Sequence, residues 1–239
     1  MKGVVLCGGE GVRLRPLTYY FQKVMIPVGN RPILEFTIRR LERFEIRDIV
    51  LLVKYKAKQI ENYFDDGSKF NVKLHYAQDR PAVKGNGGAL LDAYERGFLR
   101  RDDELLIHYG DILSDLNIRA MQDHHNNADV TLALARNYKV QVGVATVQDQ
   151  RVIRLVEKPL LELPVSIGIL ILDGKMLDEL SDYAKNLEEV DLMRHLMSHL
   201  IEKGRLVRAY FHDSFWCDLG SMEQYEKLDQ SIAERLLRT

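Results

Sequence analysis

The 239-residue sequence lacks several features that mark other classes of protein. It has only two cysteines, Cys7 and Cys217, and no Cys-x-x-Cys pair, which excludes a structural zinc site and a thioredoxin-type redox site. No run of 18 apolar residues occurs, so we expect no membrane-spanning segment, and the first apolar run is too short for a signal peptide. These absences lead us to expect a cytoplasmic protein.

An excess of charge of one sign is also absent from the chain as a whole. Its 34 lysines and arginines nearly balance 35 aspartates and glutamates, which argues against a polybasic nucleic-acid-binding protein. The first 60 residues differ, because they hold 12 basic and 5 acidic residues, a net charge of +7. This excess indicates a local anionic ligand. The alternative is a solvated helix face, since several of the basic residues cluster at 39–47.

Short apolar runs alternate with apolar residues at helical spacing along the first 135 residues. The runs at 3–7, 49–53 and 130–135 predict buried strands. The alternating segment at 72–77 and the short run at 105–107 predict two further strands, and the segments between the strands predict helices. Such an order predicts an α/β fold with a mostly parallel, Rossmann-like sheet and helices on both faces. Ligands of such sheets bind beyond the carboxyl ends of the strands, where the glycines at 8–11 and at 110 lie.

The pattern changes after about residue 140. Three strand-like segments at 143–147, 152–156 and 167–172 have few helices between them, and they predict a small antiparallel addition that covers the open edge of the sheet. Two helical patterns follow, at 188–203 and 222–237, with a strand at 206–211 between them. No linker interrupts the chain, so we expect a single domain over residues 1–239.

The most informative segment is the glycine-rich stretch from Leu6 to Leu14. Its three glycines within four positions allow positive φ angles and a close approach to a ligand, and successive amide groups in such a turn form an anion-binding nest. Arg13 adds a permanent positive charge suited to phosphate. The P-loop string and the Gly-x-Gly-x-x-Gly fingerprint are both absent, which disfavours those two nucleotide-binding classes. A tight turn without a ligand is the alternative.

The loop at 6–18 strongly resembles the signature loop of the sugar-1-phosphate nucleotidylyltransferases, which include glucose-1-phosphate thymidylyl- and uridylyltransferases and mannose-1-phosphate guanylyltransferase. The resemblance continues in family order through segments at 23–28, 31–34, 85–90, 110–111, 143, 157–159 and 216–221. It implies the nucleotide-diphospho-sugar transferase type of fold. It divides the domain into a nucleotide-binding half at about 1–139, a sugar-phosphate-binding half at about 140–220 and a C-terminal helix at 221–239.

The resemblance also assigns roles to individual residues. Arg13 and Lys23 are the implied catalytic residues, and Asp111 and Asp218 are the implied protein ligands of Mg²⁺, a hard cation that prefers oxygen donors. The implied nucleotide-binding residues are Leu6, Gly8, Gly9, Gly11, Gln78, Gly85, Gly88 and Gly110. The implied sugar-phosphate-binding residues are Gly143, Glu157, Lys158 and Ser166.

The family reaction joins a hexose 1-phosphate to a nucleoside triphosphate and releases pyrophosphate. The attacking phosphate oxygen is already ionised, so positioning and charge neutralisation are the expected sources of catalysis. A catalytically idle homologue that binds the NDP-sugar as a regulator is the alternative. The hexapeptide repeats of a C-terminal β-helix are absent from the sequence, so we expect the short form without acyltransferase activity. Assembly into homo-oligomers is an expectation from the family alone.

Several positions depart from the family pattern and leave the substrates open. Lys23 lacks the flanking prolines that are usual in the family, and Ser166 stands where the family commonly has an asparagine. Either Gln78 or Asp79, at the end of a predicted strand, could contact the nucleobase. The leading substrate pairs are mannose 1-phosphate with GTP and glucose 1-phosphate with UTP or dTTP.

The two cysteines both adjoin motif residues. Cys7 precedes the glycines of the loop and Cys217 precedes Asp218, so both thiols should border the active site. Two readings remain open at this point. Each thiol could be a buried, inert side chain, or at least one could be accessible, with a pKa lowered by Arg13, Lys23 and the loop amides.

Overall fold

The computed structural model describes residues 1–80, 84–229 and 231–238. The strands of this described part are β1 (Lys2–Cys7), β2 (Pro27–Val28), β3 (Arg31–Pro32), β4 (Asp48–Val53), β5 (Lys73–Gln78), β6 (Glu104–Tyr109), β7 (Ile112–Ser114), β8 (Val130–Ala135), β9 (Val144–Gln148), β10 (Arg151–Val156), β11 (Val165–Asp173), β12 (Val207–Phe211) and β13 (Trp216–Asp218). The α-helices are α1 (Leu17–Tyr20), α2 (Ile33–Arg43), α3 (Ala57–Phe64), α4 (Asn86–Glu95), α5 (Ile118–His125), α6 (Met176–Ala184), α7 (Ser198–Glu202), α8 (Met222–Lys227) and α9 (Ile232–Arg238). A π-helical segment, Leu192–Met197, leads into α7.

Seven of these strands form one mixed sheet in the order β12-β8-β11-β6-β1-β4-β5. All pairings in it are parallel except those of β11, which runs antiparallel to both β6 and β8. The predicted mostly parallel sheet is therefore confirmed.

The prediction that the segment at 167–172 covers an open edge of the sheet is wrong, because β11 lies in the interior. Its residues Ile167 and Ile169–Leu172 are buried, and a strand that is apolar on both faces is stable only where both faces are covered. Periodicity reports this burial but not which strands become neighbours.

Strands β9 and β10 form a separate antiparallel hairpin, which confirms a small antiparallel subregion. The hairpin does not cover the edge of the sheet. Its apolar side chains, such as Val147 and Leu155, are largely exposed, with 61% and 69% of their surface accessible.

Helices cover both faces of the main sheet, as predicted. On one face Val5 packs with apolar residues of α2, α3 and α5, including Ile38 and Phe64. On the other face Val4 packs with residues of α4, α6 and α7, including Leu90. Alternate side chains of a strand point to opposite faces, so adjacent residues of β1 belong to different cores.

Three local features differ from the sequence-based expectations. Helix α6 falls in a segment that we did not assign to a helix. The expected helix at 222–237 is instead two helices, because Leu228 ends α8 in an extended conformation. The short strand β13 pairs with β7 and was not predicted, since three residues carry no measurable periodicity. Within the described ranges, no helix is both long enough and apolar enough to cross a membrane.

Candidate active site

The glycine-rich loop leaves the carboxyl end of β1 and turns back over the sheet. Gly11 has φ of +63°, and a Cβ added there would lie 2.8 Å from Cγ2 of Thr18, so both backbone conformation and space require glycine. The Thr18 hydroxyl donates a hydrogen bond of 2.9 Å to the Gly11 carbonyl and so fixes the turn. The next residues form a short 3₁₀ turn, Val12–Leu14, which carries Arg13.

A cavity of about 370 Å³ lies beyond the carboxyl ends of four adjacent strands, β6, β1, β4 and β5. Gly8 and Gly9 form part of its wall, and Gly85 and Asn86, at the start of α4, form another part. Gly85 has φ of +80°, and a Cβ there would overlap the backbone of Val190. The cavity therefore lies where the fold class predicts a nucleotide. At Gly85 its wall leaves no space for a side chain.

Four charged residues gather at the end of β6. Gly110 packs so closely on β1 that an added Cβ would lie 2.7 Å from the Leu6 carbonyl, and this contact places Asp111 beside the loop. The Lys23 ammonium forms an ion pair with the Asp111 carboxylate. Pairing of β7 with β13 brings Asp218 to the same point, where the Leu219 amide donates to the Asp111 carbonyl at 2.9 Å.

Arg13 completes this group from the glycine loop. A Cβ added at Gly220 would lie 2.8 Å from Asp218 Oδ1 and 3.0 Å from Arg13 Nη2, so glycine leaves room for the two side chains to approach. Burial and the nearby Asp111 raise the pKa of Asp218, while Lys23 and Arg13 partly offset the rise. The structure therefore brings the two predicted catalytic cations and the two predicted metal ligands into one cluster.

The donor set at this point fits a hard divalent cation. Asp218 Oδ1 is buried and accepts no hydrogen bond among the described residues, and it lies near a second carboxylate, that of Asp111. A buried carboxylate oxygen without a partner is costly, and a cation would satisfy it. Among the described residues, no group of three or more His, Cys, Asp and Glu side chains could hold a metal, so a cation at this pair of carboxylates would also need oxygen ligands from a substrate or water.

A second cavity, of about 720 Å³, adjoins the first. Tyr109 and Asp111 line both cavities, so the two meet at the charged cluster. Ser166 lines the second cavity, and the ring of Trp216, which stacks on Tyr138 with centroids 6.0 Å apart, forms another part of its wall. Arg13 and Asp218 also line it, which places the cluster between two ligand-sized spaces.

The structure brings together most of the predicted site residues but not all of them. Those that line one or both cavities are Leu6, Gly8, Gly9, Arg13, Lys23, Gly85, Asp111, Ser166 and Asp218. Gly11 and Gly110 act through the backbone contacts described above. Gly88 lies inside α4, where its amide donates a hydrogen bond of 3.1 Å to the Val190 carbonyl. It lines neither of the two cavities.

Gln78 is exposed and does not line the first cavity; its carbonyl accepts a hydrogen bond from Arg96. The sugar-phosphate residues of the hairpin region also lie outside the two cavities. Gly143 and Glu157 lie next to each other, since a Cβ added at Gly143 would lie 3.0 Å from Glu157 Oε2. A hydrogen bond from Lys227 is the main cause of the lowered pKa of Glu223, and Lys158 lies close enough to contribute. Glu223 lines a third cavity, of about 590 Å³, which shares Arg13 and Trp216 with the second.

Asp79, the alternative to Gln78, lines the nucleotide cavity. Its side chain is only 9% exposed, and burial raises its pKa to about 6, partly offset by Lys54 at 4.0 Å. Sequence reasoning missed Lys54 and Tyr109, which both line this cavity. The signal that could have found them is their position at the carboxyl ends of β4 and β6, where ligands of parallel sheets bind.

The two cysteines border the cavities, as predicted. Cys7 lines the first and Cys217 the second. The reading in which a thiol is activated is wrong. Burial, together with Asp111, raises the pKa of Cys7 far above its ordinary value, and burial, together with Asp218, raises the pKa of Cys217 to about 11. Burial and nearby carboxylates both disfavour the thiolate.

Comparisons with known proteins show which proteins the chain is similar to. The chain is 28% identical to a UTP–glucose-1-phosphate uridylyltransferase of Synechocystis sp., over all of this chain and 65% of that protein. It is 30% identical to a mannose-1-phosphate guanylyltransferase of Mycobacterium tuberculosis, over 93% of this chain and 62% of that protein. The chain thus spans somewhat less than two thirds of the length of these two relatives.

Solved structures share the fold. One is HddC from Yersinia pseudotuberculosis complexed with GMP-PN, which has a TM-score of 0.72 at 20% identity and covers 97% of this chain and 99% of its own. Another is a Bacillus anthracis protein in complex with a sucrose, with a TM-score of 0.77 at 21% identity, covering 98% of this chain and 95% of its own. A family profile described as nucleotidyl transferase matches residues 2–235. The chain therefore belongs to the nucleotidyl transferase family.

Proposed function

We propose that the protein transfers a nucleotidyl group from a nucleoside triphosphate to a hexose 1-phosphate and releases pyrophosphate. The observation that carries the proposal is that two ligand-sized cavities meet at a cluster of Arg13, Lys23, Asp111 and Asp218. Two substrates that react with each other need adjacent spaces, and a transfer of phosphate needs charge neutralisation where the spaces join.

In this reaction an oxygen of the sugar phosphate forms a bond to the α-phosphorus, and the bond from that phosphorus to the oxygen of the β-phosphate breaks. Pyrophosphate leaves with the electron pair of the broken bond, and no proton needs to be removed first. Arg13 would neutralise the departing pyrophosphate, and Lys23 would hold the α-phosphate. Asp111 and Asp218 would hold Mg²⁺, which would supply positive charge to the phosphate oxygens.

The sugar phosphate would lie in the second cavity, against Ser166 and Trp216. Lys158, Glu157 and Gly143 lie outside its wall, on the hairpin region that follows β8. We propose that Lys158 contacts the sugar phosphate and Glu157 a sugar hydroxyl when both substrates are bound. Lys158 also lies close enough to Glu223 to contribute to the lowered pKa of that carboxyl, whose ion-pair partner is Lys227.

The nucleobase would lie at the opposite end of the first cavity from Asp111. Asp111 follows β6 and Asp79 follows β5, so the two are three strand positions apart, roughly 14 Å at the usual spacing. A phosphate held at Asp111 would therefore direct the base toward Asp79 and Lys54.

Guanine is the base whose hydrogen-bonding edge matches the carboxylate of Asp79 and the ammonium group of Lys54. Its N1–H and N2–H groups are donors for a carboxylate, and its O6 is an acceptor for an ammonium group. Uracil and thymine present an acceptor on each side of a single donor, and one of these would face the Asp79 carboxylate. We therefore propose GTP as the nucleotide, and mannose 1-phosphate as the sugar phosphate that accompanies it in the Mycobacterium tuberculosis relative named above.

The test is release of pyrophosphate from GTP, UTP, dTTP and CTP, each with mannose 1-phosphate and with glucose 1-phosphate. The proposal expects kcat/KM to be highest for GTP. Asp79→Asn should reduce kcat/KM for GTP about 10- to 100-fold, since it replaces an acceptor of two donors, whereas Gln78→Ala should leave it within about twofold. Preference for UTP in both proteins would overturn the base assignment. Absence of turnover with every pair, together with tight NDP-sugar binding, would establish the idle regulatory homologue instead.

A further inference from the structure

A cavity of about 260 Å³ lies on the far side of α2 from the sheet, at the contact with α9. Four arginines line it, together with Glu42, Phe70, Leu236 and Leu237; the arginines are Arg31, Arg39, Arg40 and Arg43. No lining residue is shared with the three cavities described above. This cavity accounts for most of the basic cluster at 39–47, which the active site leaves unexplained.

The positive charge of this cavity is only partly neutralised by the protein. Arg31 and Arg39 both pair with the single buried carboxylate of Glu35. That carboxylate also accepts a hydrogen bond from the Tyr63 hydroxyl at 2.7 Å, so both of its oxygens are engaged outside the pair of Arg40 and Arg43. Glu42 contacts Arg47 at 3.4 Å and Asn71 at 2.6 Å, and neither of these lines the cavity.

Arg40 and Arg43 form no ion pair with a carboxylate in the described part of the chain. Arg40 Nε donates to the Leu116 carbonyl at 3.1 Å, and Arg43 Nη2 donates to the Leu237 carbonyl at 2.7 Å. Carbonyls are neutral, so neither of these hydrogen bonds neutralises a guanidinium charge. Burial and the neighbouring Arg43 lower the pKa of Arg40 to about 10, while Asp115 partly offsets the change.

Donors also outnumber acceptors here. Arg31 Nε and Arg40 Nη1 are buried and have no hydrogen-bond partner among the described residues. Basic residues in the last turn of a helix interact favourably with its dipole, and this accounts for the presence of Arg40 and Arg43 on α2. It does not account for Arg31, which comes from β3 and converges on the same cavity.

We propose that this cavity is a binding site for a phosphate group, either free phosphate or the phosphate ester of a small molecule. A phosphate dianion between Arg40 and Arg43 would relieve their mutual repulsion and accept from planar guanidinium donors, which suit its geometry. The volume is below that of typical sites for drug-sized ligands, which selects a ligand smaller than a nucleotide. Phe70, Leu236 and Leu237 supply an apolar wall for a short carbon chain.

The test is isothermal titration of the whole chain with glycerol 3-phosphate and with inorganic phosphate, at constant ionic strength, with glycerol as the uncharged control. The variants are Arg43→Gln, Arg43→Lys and the matched control Arg47→Gln, which removes the same charge from an exposed arginine outside the cavity. Circular dichroism checks that each variant is folded. Arg43 is exposed, and its replacement removes one hydrogen bond to a backbone carbonyl.

The proposal expects wild-type protein to bind phosphate with a Kd below about 1 mM and Arg43→Gln to bind about tenfold more weakly, the value of one charge-assisted hydrogen bond. The affinity of Arg47→Gln should stay within about twofold of wild type. The affinity of Arg43→Lys should fall between those of wild type and Arg43→Gln. Tighter binding of glycerol 3-phosphate identifies an ester as the ligand, and equal binding identifies free phosphate. Equal affinities of Arg43→Gln and Arg47→Gln for phosphate, or no binding of phosphate by wild type, would overturn the proposed site.

Discussion

Replacing Asp79 with asparagine should increase the free energy of unfolding at neutral pH. Burial raises the pKa of this carboxyl from 3.8 to about 6, so the ionised form is disfavoured in the folded protein. A shift of about two units corresponds to about 3 kcal/mol, and solvent at the cavity mouth reduces the expected gain to about 1–3 kcal/mol. Asparagine has nearly the same shape and no charge, so it removes the penalty without leaving a void.

The gain in stability from Asp79→Asn should depend on pH. A carboxyl whose pKa is raised by folding stabilises the protein only while it is protonated, so its contribution is complete below about pH 4 and is lost as the pH rises through about 6. The gain from Asp79→Asn should therefore be full at pH 8 and shrink toward pH 4.

Urea unfolding of wild type and Asp79→Asn across this range measures the effect. Asp92→Asn serves as a contrasting control, because Asp92 is buried and paired with Arg80 and Arg96, and its neutralisation should lower stability instead. A gain that is the same at pH 4.5 and pH 8, or a loss at pH 8, would refute the assigned burial of a charged Asp79.

Three further predictions concern the active site. Asp111→Ala and Asp218→Ala should each reduce turnover about 10²- to 10³-fold while the far-ultraviolet circular dichroism stays unchanged; activity near that of wild type at saturating Mg²⁺ would contradict the metal-ligand role. Lys158→Ala should mainly raise the KM for sugar phosphate and Lys23→Ala should mainly lower kcat, and steady-state kinetics with the opposite pattern would reverse these roles. Alkylation of Cys7 and Cys217, followed by mass spectrometry, should be slow at pH 7.5 because both thiols have raised pKa values; fast labelling of either one would show that its burial is incomplete.

The sequence alone determined the strands of the main sheet and the position of the glycine-rich turn, but not helix α6 or strand β13. Runs of apolar residues located β1, β4, β6 and β8, because a strand that is buried on both faces is largely apolar. Alternation of apolar and polar residues located β5, which lies at the edge of the sheet. The three glycines at 8–11 predicted a tight turn, and the positive φ of Gly11 confirms it, because backbone conformation depends on the side chain of the residue itself. Anion binding by this turn stays a prediction. Asp111 and Asp218 could be predicted as metal ligands because the family resemblance covers the motifs that contain them.

Only the tertiary structure decided which segments lie next to each other. It placed β11 inside the sheet rather than at its edge, since strand order is set by long-range packing that periodicity does not record. It selected Asp79 over Gln78 for the cavity, because consecutive residues at a strand end point in different directions and one backbone step changes the environment. It also gathered Arg31 with Arg40 and Arg43 around one cavity against α9, a convergence that depends on contacts between elements far apart in the chain.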